Sequence, residues 1–134
     1  MYSLEQIAVL RKKCNDLKLV GREVLDKYSD EELQCICNGI GPDVFPFGIR
    51  KFVTFIHPTL ECCAFIHDVD FYESNGTRDH FSASNYRYAK NGEILAKAAY
   101  SWYNPARYIV ILQGCRHALL CQKYGWSGYK ERKK

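Results

Sequence analysis

The stretch Leu60-Glu-Cys-Cys-Ala-Phe-Ile-His-Asp-Val-Asp-Phe-Tyr72 decides how this chain is expected to fold. It predicts a buried helix, because most of its residues are apolar and no glycine or proline interrupts it. Thr59 can cap this helix, and Pro58 stops any earlier helix from continuing into it. The Asn75-Gly76 pair marks a turn that ends it. The rest of the chain is expected to pack around this central helix.

One face of the central helix carries an imidazole among apolar side chains. Cys63, His67 and Phe71 recur every four residues, so they share a face that is expected to point inward. Asp68 lies about 100° further round the helix, on the face of Ala64. An ionisable His-Asp pair in an apolar helix needs partners that offset the desolvation of its charges. The sequence therefore predicts a polar site around His67 and Asp68.

Composition sets the class of protein. A chain of 134 residues with 47% hydrophobic and 14% aromatic residues is expected to form one globular domain. The net charge of +4 is mild, and the basic tail Lys130–Lys134 is expected to be solvated and not to bind nucleic acid. No apolar run approaches the ~20 residues of a membrane span. Seven cysteines is an odd number, so at least one thiol is free or paired with another chain.

Caps and apolar spacing predict further helices and hence a mainly α fold. The predicted helices run from Ser3 to about Leu17, from Ser29 with Glu32 as a capping box to the break at Asn38–Pro42, from Thr77 to a point before Asn104, and from Pro105 to about Tyr124. Arg22–Lys27 is a short helical piece. The central helix and the Thr77 helix are expected to be antiparallel, with an inner stripe of Phe81, Asn85, Tyr88, Leu95 and Ala99 on the latter.

Aromatic residues are dense in two regions. Those between Tyr86 and Tyr108 are expected to pack in the core, although Trp102 and Tyr103, near a helix end, are also suited to a lipid interface. The segment Asp43–His57 either walls a slot for an acyl chain or covers the core.

The turn Cys37-Asn38-Gly39-Ile40-Gly41-Pro42 suggests a cation site. A glycine-broken turn can point successive backbone carbonyls toward one spot, and calcium binds such oxygen cages together with a carboxylate. Asp68 is a candidate for that carboxylate, which leaves His67 to act as general base on a water. A zinc site is an alternative, because Cys35, Cys37, Cys62, Cys63 and His67 supply nitrogen and sulfur ligands, but their spacing differs from the usual pairs.

The order of these motifs resembles a known family. Cys-x-Cys-Asn-Gly-Ile-Gly-Pro at 35–42, Cys-Cys-Ala-Phe-Ile-His-Asp at 62–68 and Gly76-Thr77 before a second helix resemble the phospholipase A2 superfamily, especially its small microbial and phage-encoded members. The likeness covers roughly Ser29 to Asn91. It implies a core at residues 28–100, made of two antiparallel helices with a glycine-rich calcium loop. Residues 1–27 and 101–134 would then be flanking helices of the same domain.

The resemblance also implies roles for particular residues. His67 would activate a water that attacks the sn-2 ester of a phospholipid, and Cys37 and Cys63 would lie close together, as a loop-to-helix disulfide is common in the family. The implied calcium ligands are the Asp68 carboxylate and the loop carbonyls of Asn38, Gly39 and Gly41. The expected partner is a phospholipid or membrane surface, and a cytoplasmic or phage-associated location is expected over secretion, because no signal-peptide pattern opens the chain.

This sequence departs from the family pattern at three positions. Three residues separate Cys63 from His67 where the family has two, and Phe71 stands where the family has a tyrosine. Asn85 falls where the family has the aspartate that orients the histidine. It can accept a hydrogen bond from His67 but offers no negative charge. Asp70 and Asp79 are the substitutes within reach in sequence, with Asp79 better explained as a first-turn dipole residue.

Two hypotheses of different classes follow. In the first, the protein is a calcium-dependent lipid ester hydrolase with His67 as base and Asn85 as its partner. In the second, it is a catalytically inactive phospholipase-like scaffold, such as a phage-type accessory or binding protein, in which His67 is only a satisfied core residue. Asn85 is the residue that divides them, because the comparable Asp-to-Asn change in a serine-protease triad costs about 10⁴ in turnover.

Overall fold

The computed structural model describes residues 2–39 and 57–131, which are mainly helical and contain no strand. None of the helices described there is long and apolar enough to cross a membrane. Within these ranges the α-helices are α1 Leu4–Asp16, α2 Asp30–Gly39, α3 Glu61–Tyr72, α4 Arg78–Ala99, α5 Pro105–Tyr124 and α6 Trp126–Glu131, with 3₁₀ segments at Arg22–Lys27 and Pro58–Leu60. The prediction of a mainly α fold is confirmed.

Local capping sets most helix starts where the sequence predicts them. Ser29 and Glu32 form the predicted capping box: the Glu32 backbone N–H donates to Ser29 Oγ at 3.2 Å, and the Ser29 N–H donates to Glu32 Oε2 at 2.8 Å. Ser3 caps α1, and Thr77 caps α4 by accepting from the His80 N–H at 3.2 Å. These contacts involve residues three apart, so they need no tertiary structure.

The predicted cap of the central helix is wrong. Pro58 starts a 3₁₀ turn that continues directly into α3, so Thr59 lies inside the helical stretch and not before it. The cap is His57, whose Nδ1 accepts from the Thr59 N–H at 3.2 Å. Thr59 Oγ1 instead lies 3.3 Å from the Tyr100 hydroxyl, which ties the start of α3 to the end of α4.

Helices α3 and α4 are antiparallel, as predicted. Residues late in α3 meet residues early in α4: the rings of Phe71 and Phe81 lie 5.9 Å apart. At the other end, a methyl group of Leu60 lies against Gly92. Helix α5 crosses α4 closely at the same place, since a Cβ added to Gly92 would lie 3.6 Å from the Gly114 Cα and 3.2 Å from Leu60 Cδ2. The absence of side chains at these two glycines permits this approach.

The core joins all the helices up to α5. Buried apolar residues of α1, α2, α3, α4 and α5 form one cluster, so the helices predicted to flank a core at 28–100 are packed into it. Cys63, His67 and Phe71 are buried, as the spacing predicts. Ala99 is exposed, however, and its place in the inner stripe is wrong.

The short helix α6 runs to Glu131 and buries Tyr129 completely against Phe71 and Phe81. The predicted solvation of Lys130–Lys134 concerns side chains outside the part of the chain that the structure describes. The expectation that the aromatic residues between Tyr86 and Tyr108 pack in the core is wrong in part, because Tyr86, Trp102, Tyr103 and Tyr108 are exposed.

All seven cysteines are free thiols, including Cys37 and Cys63, for which the family resemblance implies a disulfide. Cys63 Sγ donates to the Leu60 carbonyl at 3.0 Å. Burial raises the pKa of the Cys63 thiol, which keeps it protonated.

Candidate functional site

His67 and Asn85 face each other between α3 and α4. His67 Nε2 lies 2.9 Å from Asn85 Oδ1, so the contact that the sequence predicts is present. The ring of His67 packs 4.4 Å from Phe71 and edge-on at 5.1 Å from Tyr88, measured between ring centroids. His67 keeps 8% of its surface exposed. A phenylalanine at position 71 thus supports the imidazole by packing and offers it no hydroxyl.

A chain of amides fixes the orientation of Asn85. Its Nδ2 donates to Gln122 Oε1 at 2.8 Å, and Gln122 Nε2 donates to Ser82 Oγ at 2.9 Å. With Nδ2 engaged in this way, Asn85 presents Oδ1 to His67, and an amide oxygen can only accept. His67 therefore carries its proton on Nε2 and its lone pair on Nδ1. Within residues 2–39 and 57–131, no side chain or backbone group hydrogen-bonds to Nδ1.

Burial makes His67 neutral. Desolvation lowers the pKa of its ring below the ordinary 6.5, and this effect outweighs the hydrogen bond to Asn85 and the charge of Asp70, which both raise it. The ring is thus uncharged at neutral pH, which is the form that a general base requires.

This lowered pKa predicts acid sensitivity. Below about pH 6.5 the unfolded chain binds a proton at position 67 that the folded chain excludes, so the free energy of unfolding falls as the pH falls. We expect a loss of up to about 1.4 kcal/mol per pH unit for this group. Urea unfolding at pH 5 and pH 8 should show that His67→Gln removes this part of the acid loss.

The same measurement on His117→Gln provides a matched variant, since burial also lowers the pKa of His117. Each substitution should remove the part of the decrease in unfolding free energy at low pH that its own histidine causes. An acid loss as large in His67→Gln as in the unmodified protein would contradict a neutral His67 in the folded state.

Neither acidic substitute for the missing aspartate reaches His67. Asp70 Oδ2 accepts a hydrogen bond from Arg87 Nε at 3.0 Å, and the two side chains are 6% and 22% exposed. Asp79 lies exposed in the first turn of α4. Arg87 neutralises the charge of Asp70, so the hydrogen-bond partner of His67 is an amide and not a carboxylate.

Asp68 lies on a different side of α3, toward α2 and α5. Asp68 is half-buried. The pKa of Cys37 and the pKa of Cys121 are each raised to about 12, mainly by burial of the thiol and secondly by the negative charge of Asp68. Cys37 immediately precedes Asn38 and Gly39, which are the last two residues of α2. The predicted carboxylate ligand therefore lies on the same side of the molecule as the start of the predicted calcium loop.

The remaining predicted metal ligands have a mixed outcome. Asn38 and Gly39 are the last two residues of α2, so this helix includes two residues that the sequence assigns to the break. Gly41 and nearly all of Asp43–His57 lie outside the described residues. The part of the chain that is described contains no group of three or more His, Cys, Asp or Glu side chains that could hold a metal, so the alternative of a zinc site has no cluster there.

The sequence reasoning missed the contribution of α5. Gln122 completes the amide chain, and His117 is buried with its Nδ1 3.2 Å from the Tyr88 hydroxyl. The signal was present: Val110, His117 and Cys121 recur at steps of seven and four, which marks the inward face of α5.

Fold and site together define a mainly α protein whose interior holds a neutral histidine oriented by an asparagine. Comparisons with protein-family models, with curated proteins and with solved structures give no match to this chain. Its function is therefore argued from the site.

Proposed function

We propose that the protein is a calcium-dependent lipid ester hydrolase, resembling phospholipase A2, in which His67 takes a proton from the attacking water. The single observation that supports this most is the 2.9 Å contact between His67 Nε2 and Asn85 Oδ1. With its Nδ2 donating to Gln122 Oε1, Asn85 presents its oxygen to His67 Nε2, and that oxygen accepts the hydrogen bond. This arrangement leaves the Nδ1 lone pair as the proton acceptor on a histidine that burial keeps neutral.

Asn85 would keep the base oriented in both of its protonation states. When Nδ1 takes a proton from water, the ring becomes a cation and Nε2 continues to donate to Asn85 Oδ1. The oxygen of an amide carries only a partial negative charge, so it stabilises this cation less than a carboxylate would. We therefore expect a slow enzyme, with its geometry already in place.

The residues around Asp68 supply the type of donor atom that calcium binds. The donors are oxygens, which calcium prefers, and α2 ends at Gly39, where the last carbonyls of a helix lack partners within it. In this proposal Asp68 and the carbonyls of Asn38, Gly39 and Gly41 hold the ion. Bound calcium supplies polarisation of the ester carbonyl. Asp68 contributes the negative charge that attracts the cation.

Hydrolysis of a dispersed short-chain fluorescent phospholipid tests the proposal. The protein is assayed with millimolar calcium and with an excess of chelator, and His67→Ala serves as the blank. We expect release of fatty acid that requires both calcium and His67. Release equal to the blank would overturn the proposal and leave the inactive phospholipase-like scaffold. Release that persists in the chelator would overturn the dependence on calcium.

Substituting Asn85→Asp should raise the rate in this assay by about tenfold or more, because a carboxylate stabilises the imidazolium that forms during catalysis. The site can accept the change. If the Gln122 amide turns over, its Nε2 donates to the new carboxylate and its Oε1 accepts from the Ser82 hydroxyl, so no buried group loses its partner.

Asn15→Asp is the matched control, since it adds the same charge at an exposed position of α1 and should leave the rate unchanged. A rate for Asn85→Asp at or below that of the unmodified protein, with the fold intact by circular dichroism, would show that Asn85 does not act on the base.

A further inference from the structure

Helix α5 is apolar on both faces, and within residues 2–39 and 57–131 the protein packs against one of them. Val110, His117 and Cys121 are buried against the rest of the protein. On the opposite side, Leu112 is 68% exposed and Leu119 is exposed to a similar degree. A helix that is apolar all round normally has both faces covered. The outward side of α5 is therefore a candidate contact surface.

The exposed apolar residues are contiguous. At about 100° per residue, Tyr108, Leu119, Leu112 and Ile109 fall within roughly 100° of arc on α5. Trp102 and Tyr103 extend this surface at the turn before α5, because the Tyr108 hydroxyl donates to the Trp102 carbonyl. We call this surface the outer α5 face; it consists of Trp102, Tyr103, Tyr108, Ile109, Leu112 and Leu119, all exposed.

The charge of this region has one sign. No Asp or Glu occurs between Ile94 and Lys130, whereas Arg116 and Lys123 fall on the same arc of α5 as Leu112. Both cations are exposed, and Lys123 lies 5.2 Å from the centre of the Tyr124 ring. The outer α5 face is therefore apolar and basic together.

We propose that the outer α5 face docks on an anionic lipid surface. Leucine and isoleucine side chains would enter the boundary of the acyl chains, Trp102 and Tyr103 would lie at the level of the head groups, and the two cations would meet lipid phosphates. A second copy of the chain is a poorer partner, because its own α5 would bring further cations to a surface that already carries Arg116 and Lys123. The choice of lipid over an acidic protein rests on the proposed function.

The two faces of α5 would then have different roles, one in supporting the His67 site and the other in contacting lipid. Gln122 holds the amide chain of Asn85 and His117 contacts Tyr88, while Leu112 and Leu119 point away from the protein. Docking would place the helix that supports His67 directly on the surface that contains the substrate.

Sedimentation with vesicles tests the docking surface. Phosphatidylglycerol vesicles should bind the protein and phosphatidylcholine vesicles should bind it at least tenfold more weakly. Leu112→Gln should weaken binding about tenfold, and Lys123→Glu about fivefold for each unit of charge changed. The matched controls lie on α1: Val9→Gln replaces a side chain that is 65% exposed, and Lys13→Glu changes a lysine in the last turn, as Lys123 is in α5.

Unaltered binding by the α5 variants, losses as large in the α1 controls, or equal binding to both lipids would overturn the proposal. Self-association that Leu112→Gln abolishes, without vesicle binding, would also overturn it in favour of a second copy. The assay on dispersed substrate separates the two proposals. Hydrolysis without vesicle binding overturns only docking, and vesicle binding without hydrolysis overturns only the enzyme.

Discussion

Replacing His67 by glutamine is expected to lower calcium-dependent phospholipid hydrolysis by about 10²–10⁴-fold, the range that a positioned general base contributes. The glutamine amide can still donate to Asn85 Oδ1, so the amide chain to Gln122 and Ser82 stays satisfied. Its own oxygen is too weak a base to take a proton from water. The loss should therefore appear in turnover and not in the fold, which circular dichroism and the unfolding midpoint check.

His117→Gln is the matched control for this experiment. It makes the same substitution at another buried histidine with a lowered pKa, which contacts Tyr88 and not Asn85. Its rate should stay within about threefold of the unmodified protein, since it has no role in the proton transfer. Equal losses in the two variants would mean that either change simply disturbs the packing, and His67 would lose its assignment as the base.

Replacing Arg87 by methionine is expected to destabilise the protein by about 3–5 kcal/mol, because it leaves the Asp70 carboxylate buried without its ion partner. Asp70 is 6% exposed and Arg87 is 22% exposed, so water screens the pair only weakly. The stem of Arg87 also lies over Gly21, where an added Cβ would come within 2.9 Å of Arg87 Cδ. Urea unfolding at pH 7 measures the loss.

Two comparisons make this result specific. The double variant Arg87→Met with Asp70→Asn should be more stable than Arg87→Met alone, because the unpaired charge is gone. Lys12→Met breaks an exposed ion pair with Asp16, in which the two side chains lie 2.7 Å apart, and should leave the free energy of unfolding nearly unchanged because water screens the pair. A loss as small for Arg87→Met would show that Asp70 does not depend on its partner.

Local chemistry accounts for what the sequence predicted correctly. Ser29 with Glu32 and Thr77 act within three residues of themselves, so the starts of α2 and α4 follow from the order of residues alone. The steps of four that join Cys63, His67 and Phe71 identify the inward face of α3 without reference to any other helix. The contact of Asn85 with His67 was predicted from the family resemblance, which places Asn85 where the family has the aspartate that orients the histidine, and that contact is present.

The errors concern choices between competing neighbours. Thr59 and His57 can both cap the same turn, and the 3₁₀ start at Pro58 favours His57. Tyr86 and Tyr108 belong to an aromatic run that was expected in the core, yet both are exposed in the folded protein. The roles of calcium, Asp68 and the loop to Gly41 stay predictions.

By itself the sequence determined the mainly α class, most of the helix starts and the face on which His67 lies, because caps and periodicity act over a few residues. Only the tertiary structure decided how the histidine is oriented. That depends on Gln122 reaching Asn85 across α4 and α5, a contact between residues 37 apart in the chain. The same packing buries one side of α5 and leaves Leu112 and Leu119 exposed. Periodicity identifies apolar residues, but which of them face solvent depends on the helices that pack beside them.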